Sequence, residues 1–430
     1  MLRFARFCCT ATLLSGLFFD VSEGQNQSDC QARLDSSVVG GRIVFAEERV
    51  LQFASGGAWF SCVGRPGTDD AGVVVWSTYS DSVSWRSYLG RADFVGNVRF
   101  RDSTAVLTAE RASYYQTDDR LEAFNAVRLV NLENGSVLTG PHLVYTRSTS
   151  DTADDAELFA DRRPRVEYRS EGDSASPTVI IGDRVRLLGG SMAWAGGNVE
   201  IEQEGFNATG DSATLDLDSE AGVLIGHAEA IGQDTVGYTL RGSRIAYRMV
   251  ESELTWVQAQ RMAEALSADW RIVGDTIEFA IADDKIQAGM VWGDSVVPRA
   301  MSETYTLSGD SLAVDLPDQV LTEMRGFGEA RATSRTDSTS AEVDWIAGDS
   351  VVARFDSTST GGRTLRELRA NGNARAFYQI YDQEDPDAPP GFNYSRGLRI
   401  VALFEEETLQ RVDVVGEADG IYLEPIRRPE

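Results

Sequence analysis

The stretch Tyr88–Tyr145, YLGRADFVGNVRFRDSTAVLTAERASYYQTDDRLEAFNAVRLVNLENGSVLTGPHLVY, decides how the rest of the chain is read. Four strand-like pieces stand in it. Ala92 to Arg101 carries Gly96-Asn97-Val98, and Ala105 to Tyr115 ends in a paired tyrosine. A charged turn at Gln116 to Arg120 leads to Leu121–Asn131. A second turn, Glu133-Asn134-Gly135, leads to Val137–Tyr145. The Leu107–Tyr114 and Leu138–Tyr145 pieces lie 31 residues apart. Short strands repeated at a fixed interval predict a stacked β-array rather than a single closed domain.

The rest of the chain echoes this unit. Ala195-Gly-Gly-Asn-Val-Glu-Ile201 repeats Val95-Gly-Asn-Val-Arg-Phe100. Small residues opening alternating strands recur at Ala208, Gly242, Gly274, Gly309 and Ala341, at intervals of about 30–35 residues, as in stacked repeats. A second echo runs through Gly226-His-Ala228, Gly326 to Ala330, Asn371 to Ala374 and Gly416-Glu-Ala418. Two segments fit poorly. Trp256–Trp270 reads either as a short helix or as a strand pair with a tight turn. Asp382–Phe392 is an acidic, proline-rich loop.

The ends bound the compartment. Met1 to Arg6 is a basic start, Phe7–Phe19 is an apolar run too short to span a bilayer, and Ser22 and Gly24 are small. Residues 1–24 therefore read as a secretory signal, with an uncleaved anchor as the alternative. Cys30 and Cys62 remain after cleavage and are expected either to pair or to stay free thiols. A formal charge of −27 excludes non-specific nucleic-acid binding through phosphates, which needs a basic face, and disfavours simple electrostatic adsorption to anionic membranes. The boundaries read as 25–87 for N-terminal strands, 88–250 for the clearest repeats, and 251–430 for further repeats and a tail.

No catalytic signature is present. His142 and His227 sit in strand-like contexts, and no nucleophile elbow, phosphate loop or zinc motif occurs. Gly196-Gly197 and Gly361-Gly362 read as turns. The acidic pairs Asp118-Asp119, Asp154-Asp155 and Asp283-Asp284 also read as solvated turns. Asp211-Ser212, Asp275-Thr276, Asp294-Ser295, Asp310-Ser311 and Asp349-Ser350 read as turn and strand-start chemistry rather than a metal site. No enzyme activity, metal or cofactor is expected.

Apolar alternation is the remaining signal. Phe94, Val98 and Phe100 are expected on one strand face, Leu121, Val127 and Leu129 on a second, Val199 and Ile201 on a third. Arg99, Arg101, Arg128 and Glu200 would then face outward. Two readings stay open: a packed core, or an apolar groove that takes acyl chains, whose burial is favourable by roughly 0.8 kcal/mol per CH₂.

Ala92-Asp-Phe-Val-Gly-Asn-Val98, Leu107-Thr-Ala-Glu-Arg-Ala112, Tyr114-Tyr115, Asp118 to Leu121 and Leu138-Thr-Gly140 to Tyr145 together resemble the OstA-like (LptA-like) family of periplasmic lipopolysaccharide-transport proteins. Weaker copies cover Gly182–Val250 and Gly309–Phe355. The resemblance implies an all-β, elongated, open β-jellyroll. Its interior would shield the acyl chains of lipopolysaccharide or a related glycolipid between inner and outer membrane. The implied partners are other β-jellyroll subunits joined by edge-strand pairing and an outer-membrane translocon. The implied location is the periplasm, with an association with the outer membrane. A secreted structural β-solenoid without a lipid is the alternative, and a carbohydrate-active β-helix a third reading that the even scatter of acids disfavours.

Overall fold

A computed structural model describes residues 30–45, 50–64, 66, 71–102, 105–115, 120–146, 157–169, 176–188, 191–232, 237–334, 343–357, 363–381, 389–405 and 408–424. The expected signal at 1–24 and the acidic pairs Asp118-Asp119 and Asp154-Asp155 lie outside these residues, as does Gly361-Gly362. So do the side chains of Cys30 and Cys62 and most of the acidic loop after Tyr381. Among the described residues no helix is long and apolar enough to cross a membrane.

The chain is all-β, with stacked antiparallel strands. It divides into two compact units: residues 1–204 with 209–222, and 205–208 with 223–430. In the first unit lie β1 (Cys30–Ser36), β2 (Val39–Val44), β3 (Val50–Gly64), β4 (Val74–Arg86), β5 (Arg91–Asp102), β6 (Ala105–Tyr115) and β7 (Arg120–Asn131). They are followed by β8 (Val137–Thr146), β9 (Glu157–Asp161), β10 (Arg165–Tyr168), β11 (Thr178–Ile181), β12 (Arg184–Leu188) and β13 (Met192–Gln203). β14 (Phe206–Asp216) and β15 (Ala221–Gly232) contain the division between the units. The second unit continues with β16 (Tyr238–Val250), β17 (Glu253–Leu266), β18 (Arg271–Ala282), β19 (Lys285–Trp292), β20 (Arg299–Met301), β21 (Tyr305–Ser308) and β22 (Ser311–Asp315). It ends with β23 (Glu323–Ser334), β24 (Asp344–Ser357), β25 (Arg363–Ile380), β26 (Gly391–Glu405), β27 (Thr408–Val415) and β28 (Asp419–Leu423).

Register reduces this long inventory to one device. The two halves of β8 pair with β10 and β9, and the two halves of β13 with β11 and β12. Each short pair is thus a single strand broken at its middle. The same holds for β1 with β2 against β3, and for β27 with β28 against β26. Within each unit the chain is a meander of bent strands, each giving two arms.

The bend has a local cause. Every second bent strand but the β19–β20 one carries two consecutive residues in the left-handed region. Examples are Gly56-Gly57, Gly96-Asn97, Asn125-Ala126, Arg162-Arg163, Gly197-Asn198, Arg261-Met262, Gly328-Glu329 and Gly372-Asn373. These pairs make β-bulges: Val95 faces Arg111 but Val98 faces Ala109. The extra residue turns the strand from one arm to the other. The strand before it contributes a carboxylate at the bend. Asn97 Nδ2 donates to Asp81 at 2.9 Å, Asn198 Nδ2 to Asp183 at 3.1 Å and Asn373 Nδ2 to Asp349 at 3.0 Å. At Gly96 and Gly372, with φ of +80° and +69°, a Cβ would overlap the carboxylate of Asp81 and Asp349. Glycine is required there by conformation and by space.

The structure corrects several sequence expectations. Of the two readings of Trp256–Trp270 the helix fails and the strand-and-turn reading holds: its first part lies on β17, with a bulge at Arg261-Met262, and Ser267–Trp270 form the turn into β18. Asp211, Asp275 and Asp349 lie inside β14, β18 and β24 rather than in turns. Gly196-Gly197 lies within β13 at its bend. The turn reading holds for Asp283-Asp284, both left-handed, between β18 and β19. The 30–35-residue period also acquires a physical meaning, since two bent strands make one repeat and only the second carries the left-handed pair.

Candidate functional site

The inward faces of the two arms build continuous apolar rows. In the first unit Phe100, Leu107, Leu129, Leu138, Val166, Ile180 and Ile201 are cross-strand neighbours in succession. On the other arm Trp85, Ala92, Tyr114, Leu121, Tyr145, Leu158 and Leu187 form a second row. The two arms meet across a cavity of about 30 Å³. Leu129, Leu138 and Val166 of one arm and Leu158 and Leu187 of the other line it, with Asn131 and Ser136 at one side. That volume is room for about one water molecule, not for an acyl chain.

Seven of the eight residues singled out from the sequence are buried: Val98, Phe100, Leu121, Val127, Leu129, Val199 and Ile201, with exposures from 1% to 8%. Phe94 lies in register with Val83 and Ala112, both inward, but is only half-buried. Phe94 and Leu121 lie on one arm, and the other six on the opposite arm past the bend. Arg99, Arg101 and Arg128 are exposed and Glu200 is half-exposed. Leu107, Leu138, Val166 and Ile180 complete the same row without having been singled out. The 31-residue offset between Leu107 and Leu138 carries the signal that places them together.

The second unit repeats the arrangement. Ile245, Ala259, Ile277, Val291, Leu312, Gly326, Val351, Ala370 and Ile400 succeed one another in register. Large and small side chains intermix in that row, as interdigitation requires. Ile245, Ile277, Val291, Leu312, Val351 and Ile400 are fully buried. Tyr247 lies in the next row, and burial pushes its hydroxyl pKa up.

Most charged groups sit on the outside of the arms. His142 Nδ1 lies 2.8 Å from Asp161 Oδ1, and its ring stacks on Phe124 at 4.9 Å. His227 is a left-handed bend residue of β15. Asp93 accepts hydrogen bonds from Arg86, from Arg91 Nε at 2.7 Å and from Ser113 Oγ at 2.7 Å. Burial opposes its ionisation, but these three donors together outweigh it and hold the carboxyl below its usual range. A carboxylate depressed in the folded state stabilises above its unfolded pKa of roughly 3.9, and the contribution is lost as pH falls through the folded value. Asp93→Asn is therefore expected to cost about 1.5–3 kcal/mol at neutral pH. The melting-temperature gap to wild type should narrow below about pH 4, the ordinary carboxylate range, and a gap independent of pH would contradict this account. Among the described residues no group of three or more His, Cys, Asp or Glu side chains is arranged to hold a metal ion.

No protein-family model matches the chain, and no curated protein matches it at a significant level. Its function is therefore argued from the fold and from the apolar rows.

Proposed function

We propose that this chain is an exported lipid-carrying bridge protein. It shields the acyl chains of lipopolysaccharide or a related glycolipid as they pass from inner to outer membrane. The observation that supports this most is the unbroken apolar row on each arm, repeated strand after strand within each unit. A compact enzyme core needs no such track, whereas a chain of CH₂ groups gains roughly 0.8 kcal/mol for each one it buries. Binding then requires the arms to part along the line between Leu129, Leu138 and Val166 and the facing Leu158 and Leu187.

The edge strands support the bridging part of the proposal. Val39, Ile43 and Val44 of β2 and Ile421 and Leu423 of β28 are 45–61% exposed. Natural edge strands are usually blunted by charge or proline, and apolar ones invite another strand. The occupants proposed are further β-jellyroll subunits or the outer-membrane translocon, joined by main-chain pairing.

The small cavity between the arms of the first unit favours a second reading, a secreted structural repeat protein with no lipid. Native mass spectrometry of the chain extracted from its own cells under mild conditions separates the two. Lipid carriage predicts a bound amphiphile that stays with the folded protein. A homogeneous lipid-free mass would support the structural reading instead.

A further inference from the structure

The outward face of the second unit carries two neighbouring rows that the interior does not explain. Register places Arg299 opposite Ser308 and Ser308 opposite Arg331. The row continues through Ala347 to Arg375 and Arg396. One step further from the bend, Thr333, Trp345, Phe377 and Tyr394 stand side by side. The alternating residues Ala332, Ile346, Ala376 and Ser395 are buried, so both rows face away from the core.

The aromatic row is continuous. Trp345 and Phe377 stack with centroids 6.3 Å apart and planes at 19°, and Phe377 and Phe392 at 5.7 Å and 18°. Tyr394 meets Trp345 edge-on at 6.2 Å. The Arg331 guanidinium lies 4.3 Å from the Trp345 ring centre. Ile421 and Leu423, opposite Tyr394 and Phe392, extend the ridge and are 61% and 59% exposed.

Carboxylate pairing is sparse along this row, as it is at Arg248 and Arg399 on the other arm. Elsewhere on that arm Arg325 meets Asp315 at 2.8 Å, Arg354 meets Glu323 at 2.8 Å and Arg369 meets Glu367 at 2.6 Å. In the arginine row only Arg396 has such a partner, Asp419 at 2.7 Å. Arg299, Arg331 and Arg375 are exposed and have no carboxylate partner among the described residues. What distinguishes this face is that three such arginines stand in one row directly beside an aromatic ridge, in a chain with 67 acidic and 40 basic residues.

We propose that this face docks onto an anionic lipid surface. The aromatic ridge enters the boundary between headgroups and acyl chains, where tryptophan and tyrosine are at home. Arg299, Arg331 and Arg375 meet lipid phosphates beside it. A sugar polymer is disfavoured because the rings are stacked on one another. They leave edges, not open faces, to a partner. The net charge of −27 does not prevent contact, because at physiological salt the Debye length is about 8 Å. The arginine row spans about 24 Å, or five strand spacings, so acids more than a Debye length from it are largely screened. The docking does not depend on what the interior carries.

The test is sedimentation of the full chain with vesicles of equimolar phosphatidylglycerol and phosphatidylcholine, against pure phosphatidylcholine. Binding to the anionic vesicles should be at least about ten-fold tighter and should weaken with added salt. The doubly substituted Arg331→Gln/Arg375→Gln chain should lose about twenty-five-fold, or roughly five-fold for each arginine. Both substitutions are at exposed positions, so an unchanged melting temperature is expected to accompany the loss. Trp345→Thr should weaken binding to the same vesicles. Equal partitioning onto both vesicle types would overturn the proposal. So would undiminished binding of the double variant, or retention by alginate without retention by vesicles.

Discussion

Ile277→Asp is expected to unfold the second unit. Ile277 is fully buried between Ala259 and Val291 in the middle of its row. The substitution forfeits about 1.5–3 kcal/mol of apolar burial. It also places an unpaired carboxylate where the neighbouring inward side chains are apolar, at a cost of several kcal/mol more. A domain stable by about 5–15 kcal/mol cannot absorb much beyond that. Ile277→Val, which removes one methylene, should cost only about 0.5–1.5 kcal/mol. Circular dichroism melts of the two variants check both expectations. An aspartate variant that melts like wild type would mean that this row is not the core.

The second large effect is expected at a bend. Gly372 has a φ of +69°, and a Cβ there would overlap the Asp349 carboxylate. Gly372→Val must adopt a left-handed conformation that costs a side chain about 1–2 kcal/mol, more for a β-branched one. It must also displace Asp349 and so break the bond from Asn373 Nδ2. A total of about 2–4 kcal/mol is expected, from strain plus a lost charge-assisted hydrogen bond. Asn373→Ala should cost less than about 1.5 kcal/mol, the value of the hydrogen bond alone. Amide exchange should show the loss concentrated in β24 and β25, whose ladder runs through the bend. A variant as stable as wild type would show that the left-handed pair is a consequence of the bend rather than its cause.

The strands of the opening stretch were legible because their alternation is strong between bends. Ala105–Tyr115 matches β6 in full, and the other three pieces match β5, β7 and β8 to within one residue at each end. The bends were less legible, because alternation loses phase there. In β6 the buried positions run Ala105, Leu107 and Ala109, then Ala112 and Tyr114. A reader who counts in twos places half of such a strand on the wrong face. The Gly-Asn pairs were visible as a recurring motif, but their role depends on a carboxylate from the preceding strand, and pairing register is not written locally. For the same reason Asp275 and Asp349 looked like turn residues.

The interior was read well from residue type and poorly in extent. Val98, Phe100, Val127 and Leu129 were visible because apolar and polar residues alternate along their strands. Val166 and Ile180 were not, because β10 and β11 are only four residues long. Trp256–Trp270 was ambiguous through composition: Ala, Gln, Glu and Met favour a helix in isolation, and sheet pairing on both sides overrides that preference. The outward aromatic row of Trp345, Phe377 and Tyr394 was invisible in sequence, since its members come from three strands.

On the function proposed above, acyl chains run between the two arms. The most direct measurement places a photoreactive phenylalanine analogue at Phe94, half-buried in an inward row, and at Arg99, exposed on the outer face of the same strand, in cells making the protein. The account predicts a glycolipid adduct from Phe94 and none from Arg99. A folded protein that crosslinks lipid from neither position, or equally from both, would contradict it.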